Sequence, residues 1–552
     1  MLHWHFLFVL KRGVSLNSNK AFRRRFTIWM ICLAAVIMVG LAVNYSTKDR
    51  EEGTIKEKTI KEKTIVTEKL PLSPKKPTYT YRAAYHFSPP DKWMNDPQRP
   101  IYLDGKYHYY YLYNRDYPKG NGTEWRHATS TDLVHWTDEG VAIPKYTNRN
   151  GDPWTGSVVV DTENTAGFGK GALVAIVTQP SADGGKQEQY LWYSTNKGKK
   201  FISYRNVPVL KNPGTHDFRD PKIIWDPESR KWIMTMAEGT KVGFYESSNL
   251  KDWRYISGFI TENIGIVECP DLYSMRADDG TYHWILGVSA NGKAEGKPNT
   301  YAYWTGKFDG KEFIPDRKEP QWLDYGFDWY AAVTFEEGAG DDKDSHRYAL
   351  AWMNNWDYPN TTPTLQEDYN GINSIVRQIK LKSAGGTYLL VSQPAQALDQ
   401  LTKSTESFQR IEVNGSKTLN TTGDTYQLDA DISWSDLKNA GLRLRESPDK
   451  KRHVDVGVFV EGGYSYVNRA NTWQPDKRGT YVESRAPFDT GNKKVHLKIL
   501  VDKTSIEVFV DDGSVVFSNV IFPGWKDKGI TLFSEGGQAV FENVVIKHLG
   551  KN

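Results

Sequence analysis

Five runs rich in aromatic and aliphatic residues, centred near Tyr107, Leu173, Trp232, Trp284 and Tyr348, recur at intervals of 52 to 66 residues. That spacing suits four-stranded propeller blades with long loops, so five blades are predicted over residues 81–395. A weaker echo follows each of the first four runs: Ser130-Thr131-Asp132-Leu133-Val134-His135-Trp136, Ser194-Thr195-Asn196 leading to Phe201, Ser247-Ser248-Asn249-Leu250-Lys251-Asp252-Trp253, and Phe308-Asp309-Gly310-Lys311-Glu312-Phe313. Beyond Pro394 the pattern changes. Residues 426–432, 441–445, 454–460, 495–501, 505–510 and 540–547 alternate apolar with polar positions, with Glu461-Gly462-Gly463 and Asp511-Asp512-Gly513 as turns. Short strands without helical periodicity predict a β-sandwich over residues 396–552. The fold class is therefore all-β, a propeller followed by a sandwich.

What precedes each run carries the candidate chemistry. Asp96, in Trp93-Met94-Asn95-Asp96-Pro97, precedes the first run and Trp154-Thr155 the second. Asp220, in Phe218-Arg219-Asp220-Pro221, precedes the third; Glu268, in Val267-Glu268-Cys269-Pro270-Asp271, the fourth; Asp328-Trp329-Tyr330 the fifth. If the runs are the first strands of their blades, all five places face one axis. A lone Asp-Pro usually opens a turn, as Asp226-Pro227 is expected to do. Three acids at equivalent places of a ring point instead to one site.

Composition narrows the ligand. Aromatic residues make up 13% of the 552, with 19 Trp and 31 Tyr, and while most belong to β-sheet cores, aromatic faces also cover the C–H faces of sugars. Net charge is +4, yet residues 1–76 hold 15 Lys and Arg against 6 Asp and Glu, leaving the rest mildly acidic at 56 against 61. No basic patch argues for nucleic acid. The histidines lack ligand spacing, so no metal or cofactor is expected, and His127 and His135 are read as structural. Two cysteines, Cys32 and Cys269, make no disulfide framework.

Residues 26–43 contain no charge, follow Lys20 and Arg23-Arg24-Arg25, and no acid occurs before Asp49. This pattern predicts a cytoplasmic basic segment (1–25) and a membrane segment (26–43), with the C-terminal side outside the cell. A cleaved signal and a permanent anchor are both compatible with it, the length favouring a single-pass anchor. Thr54-Ile55-Lys56-Glu57-Lys58 then repeats as Thr59-Ile60-Lys61-Glu62-Lys63, and Pro71, Pro74 and Pro77 follow. A five-residue period builds no helix or strand face, so residues 44–80 read as a charged, extended spacer.

Taken together these motifs resemble glycoside hydrolase family 32, the β-fructosidases. The likeness spans roughly residues 85–549 and includes Trp125 with Ala128-Thr129-Ser130, Trp154-Thr155-Gly156-Ser157, and the sandwich strand Val501-Asp502-Lys503-Thr504-Ser505-Ile506-Glu507-Val508-Phe509. The resemblance implies retaining cleavage of fructosyl linkages. Asp96 would be the nucleophile, Glu268 the acid and then base, and Asp220 the holder of ring hydroxyls. Such a double displacement needs two carboxyls about 5–5.5 Å apart, one ionised and one protonated. Arg219 would favour an ionised Asp220. Trp93, Met94, Asn95, Trp125, Trp154, Thr155, Arg219, Asp328 and Tyr330 would contact substrate, and Cys269 is read as a packing neighbour.

Two departures shape the expected substrate. The opening motif continues Gln98-Arg99-Pro100 where the family usually has Asn-Gly, and Tyr111-Leu112-Tyr113-Asn114 has Leu where many exo-acting members carry Gln. Both are expected near the terminal fructose. The combination is similar to the levan-cleaving enzymes of bacilli, including endo-acting ones that release levanbiose, so levan and the cell membrane are the expected partners. Trp125, Trp154 and Trp329 are candidate stacking faces. An exo-acting fructanase, an inverting five-bladed pentosanase and a non-catalytic fructan-binding protein are the alternatives.

Overall fold

The computed structural model of the chain describes residues 80–119, 122–338, 342–360, 367–472 and 481–550. The apolar run 26–43 and the repeated spacer lie outside these residues; among those described, no helix is long and apolar enough to cross a membrane.

Five antiparallel sheets form the propeller. Blade 1 comprises Lys92–Leu103, Lys106–Asn114, Glu124–Ser130 and Thr137–Ile143, with Tyr369–Asn370 added in parallel at its inner edge. Blade 2 comprises Gly156–Asp161, Ala172–Pro180, Gln187–Ser194 and Ile202–Ser203; blade 3, Arg219–Asp226, Lys231–Ala237, Lys241–Ser247 and Arg254–Ile260. Blade 4 comprises Val267–Arg276, Tyr282–Ala290, Tyr301–Phe308 and Phe313–Pro315; blade 5, Tyr330–Phe335, Arg347–Trp352, Arg377–Ala384 and Thr387–Pro394. The five first strands pack side by side in a ring, blade 5 closing against blade 1.

The five apolar runs are thus the second strands of their blades, not the first. A second strand packs against neighbouring blades on both faces, so Ala172–Pro180 is buried along nearly its whole length and reads as a near-continuous apolar run. The first strand faces the axis and carries polar residues there, which breaks its periodicity. Apolar cores fill the spaces between successive blades all round the ring. Strand alternation distributes them: Tyr110 and Leu112 face blade 2 while Tyr109 and Tyr111 face blade 5.

The weaker echo is the turn from third to fourth strand. Ser130 Oγ accepts the N–H groups of Asp132 and Leu133, Ser194 Oγ those of Asn196 and Gly198, and Ser247 Oγ that of Asn249. Each turn then passes through a left-handed residue: Leu133, Lys197, Leu250 and, in blade 4, Gly310. Asp226 caps an ordinary hairpin turn by accepting the N–H groups of Glu228 and Ser229.

The sandwich is organised by one long strand, Gly529–Leu549. Its first part pairs with Asn439–Glu446, its last with Tyr426–Trp434, and its other edge carries Thr402–Phe408 and Ile411–Thr422. Outward from these lie Val454–Phe459, Tyr464–Asn468 and Glu483–Pro487 on one side, and Lys494–Val501, Ser505–Val510 and Val515–Val520 on the other. The alternation read from the sequence packs Leu428, Ala430 and Ile432 inward against Leu442, Leu444 and Val456.

Charged residues bury the seam between propeller and sandwich. Asp502 accepts the N–H groups of Ala84, Tyr85 and His86, and His86 bridges Asp502 (Nδ1 to Oδ2, 2.9 Å) and Glu507 (Nε2 to Oε1, 2.9 Å). Arg377 of blade 5 continues the chain to Glu507 and to Asp324 (2.8 Å). Burial alone would lower the His86 imidazole, but its hydrogen bonds to the two carboxylates outweigh that and raise it to about 9. Glu507 is held down to about 2, the Arg377 charge and the His86 bond overcoming burial. The characteristic sandwich motif is therefore an inter-domain fastening.

Candidate active site

Four of the five first strands carry the same irregularity near their start. In blade 1, Met94 pairs with Tyr113 and Pro97 with Tyr111, so Asn95 and Asp96 together oppose Leu112. Asp220 and Pro221 likewise oppose Met236 in blade 3, Cys269 and Pro270 oppose Val288 in blade 4, and Ala331 and Ala332 oppose Ala351 in blade 5. Two residues opposing one is a β-bulge, which bends its strand and re-aims a side chain. Asp220 (φ 62°), Cys269 (φ 48°) and Ala331 (φ 52°) all occupy the left-handed region, each at a cost of roughly 1–3 kcal/mol. Proline fits here because a bulge leaves ladder donors unused. The Pro-flanked acids are thus bulge signatures, and the bulges bring Asp96, Asp220 and Glu268 to one end of the channel.

There they line a cleft of ≈ 620 Å³. Asp96 is nearly enclosed: its Oδ2 accepts from Thr155 Oγ1 (2.5 Å) and its Oδ1 from Asn95 Nδ2 (3.0 Å), while Asn95 Oδ1 accepts from Trp93 Nε1 (2.9 Å). Burial, assisted by the charge of Glu268, pushes the Asp96 carboxyl up to about 6 against the opposing bonds from Thr155 and Asn95. Asp220 receives the N–H of Cys269 on Oδ2 (3.0 Å), and burial with the Glu268 charge drives it well above the ordinary carboxylate range. The Cys269 thiol lies 3.7 Å from Asp96 Oδ2 and 3.6 Å from Asp220 Oδ2. Burial raises that thiol too, so it stays protonated between two acids, and Cys269 packs there with Trp93, Tyr330 and Trp352 as a neighbour of the site.

Glu268 is held from two sides. Arg219 Nε donates to its Oε1 (2.9 Å), and the Tyr330 hydroxyl donates to its Oε2 and accepts in turn from Asn291 Nδ2 (2.6 Å). Arg219 also reaches Asp217 (2.5 Å) and Gln187 (3.3 Å). Its hydrogen bonds thus go to Glu268, Asp217 and Gln187, not to the adjacent Asp220; its charge lowers the Asp220 carboxyl, but burial prevails.

Trp93, Asn95, Trp154, Thr155 and Arg219 line the cleft, together with Leu112. Tyr330 bounds it through Glu268. Other expectations are overturned. Met94 alternates away from the axis into the core between blades 5 and 1. Trp125 is wholly buried between blades 1 and 2, its indole N–H supporting the Trp154 carbonyl (2.8 Å). Asp328 is buried at the domain seam, accepting from Tyr358 (2.5 Å), Arg469 (2.7 Å) and the Val520 N–H (2.8 Å). Trp329 lies in the core between blades 4 and 5. Gln98 sits beneath the floor, donating to the Asp96 carbonyl (3.0 Å) and accepting from the Gly156 N–H (2.9 Å), whereas Arg99 and Pro100 line a separate cavity further down the channel.

Tyr117, Gln187, Asn291 and Trp356 are additional. Tyr117, Asn291 and Trp356 stand in loops that follow second strands and return to the end where first strands begin. That connectivity is their sequence signal, and it becomes usable only with the correct strand order. Trp93, Tyr117, Trp352 and Trp356 form one aromatic wall with ring centroids 4.9–6.4 Å apart.

Known proteins share this arrangement. Residues 86–394 match the model of the glycosyl hydrolases family 32 N-terminal domain, and residues 397–548 that of the family 32 C-terminal domain. The levanbiose-producing levanase of Bacillus subtilis (strain 168) is 71% identical over 468 residues, 85% of this chain and 91% of that protein. That of Geobacillus stearothermophilus is 71% identical over 394 residues, 71% of this chain and all of that protein. The crystal structure of exo-inulinase from Aspergillus awamori superposes with a TM-score of 0.76 at 29% identity, covering 86% of this chain and 99% of that one. Both domain matches, the three acids on or beside their bulges and the fastening strand of the sandwich lead to one conclusion: the chain belongs to glycoside hydrolase family 32.

Proposed function

We propose that this glycosidase cuts the β-2,6-fructosyl linkages of levan from within the polymer, releasing levanbiose and short oligomers. The observation that carries this reading is the cleft over Asp96 and Glu268, with Trp93, Trp154 and Trp356 in its lining and Leu112 at the place where many exo-acting members of the family carry Gln. The 71% identity to two levanbiose-producing levanases supports it.

In this reading Asp96 attacks C2 of the fructosyl unit while Glu268 gives its proton to the departing glycosidic oxygen. The C2–O bond breaks as the bond to Asp96 forms. Glu268, now a carboxylate between Arg219 and Tyr330, takes a proton from water, whose oxygen attacks C2, breaks the bond to Asp96 and releases levanbiose or a longer oligomer with net retention. Asp220, held by the Cys269 N–H, accepts from ring hydroxyls as positive charge develops at C2. Mass analysis of early products from levan, inulin and sucrose tests the reading: levanbiose and longer oligomers from levan support it, and fructose as sole initial product overturns it.

We further propose that the basic N-terminus and residues 26–43 hold the enzyme at the membrane with the propeller outside the cell. Full-length protein that sediments with membranes and is protease-sensitive in intact protoplasts supports this; a shorter chain in the medium, starting near Val43, indicates a cleaved signal.

A further inference from the structure

Trp356 is 45% exposed and lines the cleft. Next to it, Asp357 accepts from Lys293 Nζ of the blade 4 loop (2.9 Å) and from the hydroxyl of Tyr481, a sandwich residue. The Lys293 ammonium also lies 4.2 Å over the Tyr481 ring. One residue further, the Tyr358 hydroxyl receives Arg469 of the sandwich (2.9 Å) and donates to Asp328. From the propeller side, Asn355 donates to the Phe327 carbonyl (2.9 Å), and Asn370 to that of Pro359 (2.8 Å). The short blade 5 segment carrying Trp356 is thus tied to blade 4, to the strand added to blade 1 and to the sandwich at once, and a ring fixed before binding loses little freedom when a ligand covers it.

We infer that the sandwich takes part in polymer recognition: Tyr481, with Lys293, locks Asp357 and so holds the Trp356 indole as a platform for a fructosyl unit next to the one in the catalytic pocket. The inference rests on the fructan reading above and adds to it a role for the second domain. Trp356 contacts the polymer; Asp357, Lys293 and Tyr481 are positioning residues. Three consequences separate this from a merely structural seam. The effect falls on the Michaelis constant, it falls on long substrates, and it returns when the hydrogen bond is restored.

The test compares full-length wild type, Trp356→Ala, Asp357→Ala, Asp357→Asn and Tyr481→Phe on levan and on sucrose, the latter followed by glucose release. Stacking on an aromatic face supports a fall of about tenfold in the levan-to-sucrose ratio of kcat/KM for Trp356→Ala. Asp357→Ala and Tyr481→Phe are expected to raise KM for levan roughly threefold to tenfold with little change in kcat, and Asp357→Asn to recover most of the loss. Thermal midpoints within a few degrees of wild type exclude unfolding as the cause. Equal losses on levan and sucrose, or an unmoved KM for levan in Trp356→Ala, would overturn the inference. A wild type that prefers inulin would defeat the levan reading alone, since the same split is then read on inulin.

Discussion

Arg219 Nε donates to Glu268 Oε1 at 2.9 Å, although its sequence neighbour is Asp220. The guanidinium sits where a carboxylate forms when Glu268 gives up its proton. Its Nε reaches Glu268 while Nη1 reaches both Asp217 and Gln187, a fork that an ammonium cannot copy. Arg219→Lys is therefore expected to lower kcat about 10–100-fold with a smaller change in KM, because the interaction tightens in the transition state. Steady-state kinetics on levan check this; a pure KM effect would make Arg219 a ground-state binder.

Asp96→Asn and Glu268→Gln should each remove most turnover while leaving fold and polymer binding intact. General acid–base assistance is worth roughly 10²–10⁴-fold, and loss of a nucleophile costs more. Near-normal turnover in Asp96→Asn would refute the assignment.

The acid limb of the pH profile follows from the same aspartate. A nucleophile must be ionised, and Asp96 is raised to about 6 chiefly by burial. Activity in kcat/KM is expected to rise with pH through about 6, well above an ordinary aspartate. Thr155→Val removes a bond that lowers Asp96 and should move this limb upward. A limb near the usual aspartate value would contradict the burial seen here.

The domain seam has its own pH window. His86 is raised to about 9, so its contribution is complete below the unfolded imidazole value near 6.5 and is lost as pH rises through about 9. Glu507 is lowered to about 2, so its contribution is present above its unfolded value and is lost only as pH falls through about 2. Thermal midpoints should fall between pH 7 and about 10 in wild type. His86→Ala leaves two buried carboxylates facing each other and should cost about 3–5 kcal/mol, with a weaker alkaline dependence. Calorimetry across pH measures both.

Leu112 lines the cleft opposite the Asn95–Asp96 bulge. Leu112→Gln would supply a hydrogen-bonding group there, where an unpaired sugar hydroxyl costs about 1–3 kcal/mol. Early products from levan are expected to shift toward free fructose, and sucrose cleavage to increase. An unchanged product pattern would place the determinant of cutting mode elsewhere.

Much of this architecture was legible in the chain because alternation and spacing record burial. The five apolar runs marked five blades, and the period-two stretches marked six sandwich strands. Their order within each blade was not legible, since the strands facing the axis carry mixed residues such as Arg219, Asp220 and Lys222 and lose their period. The acids of the site could be found from their proline neighbours. The places of Met94, Trp125 and Asp328 were not legible for different reasons: neighbours along a strand point to opposite faces, which turns Met94 away from the axis, Trp125 lies on a third strand, and Asp328 precedes the first strand of blade 5 and turns into the domain seam. Glu507 looked like a family marker and proved to be half of a buried ion pair; only the fold brings Arg377 to it.

The repeated bulge also has an engineering meaning. Four of the five blades offer the axis this bulged backbone seat, and its occupants differ: Asn95 and Asp96, Asp220 and Pro221, Cys269 and Pro270, Ala331 and Ala332. Blade 5 fills its seat with Ala331, already in the left-handed conformation that aspartate and asparagine tolerate best. A polar group installed there by one substitution would enter the space among Trp93, Cys269, Tyr330 and Trp352, making the propeller a turret whose bulged stations can be re-equipped one at a time.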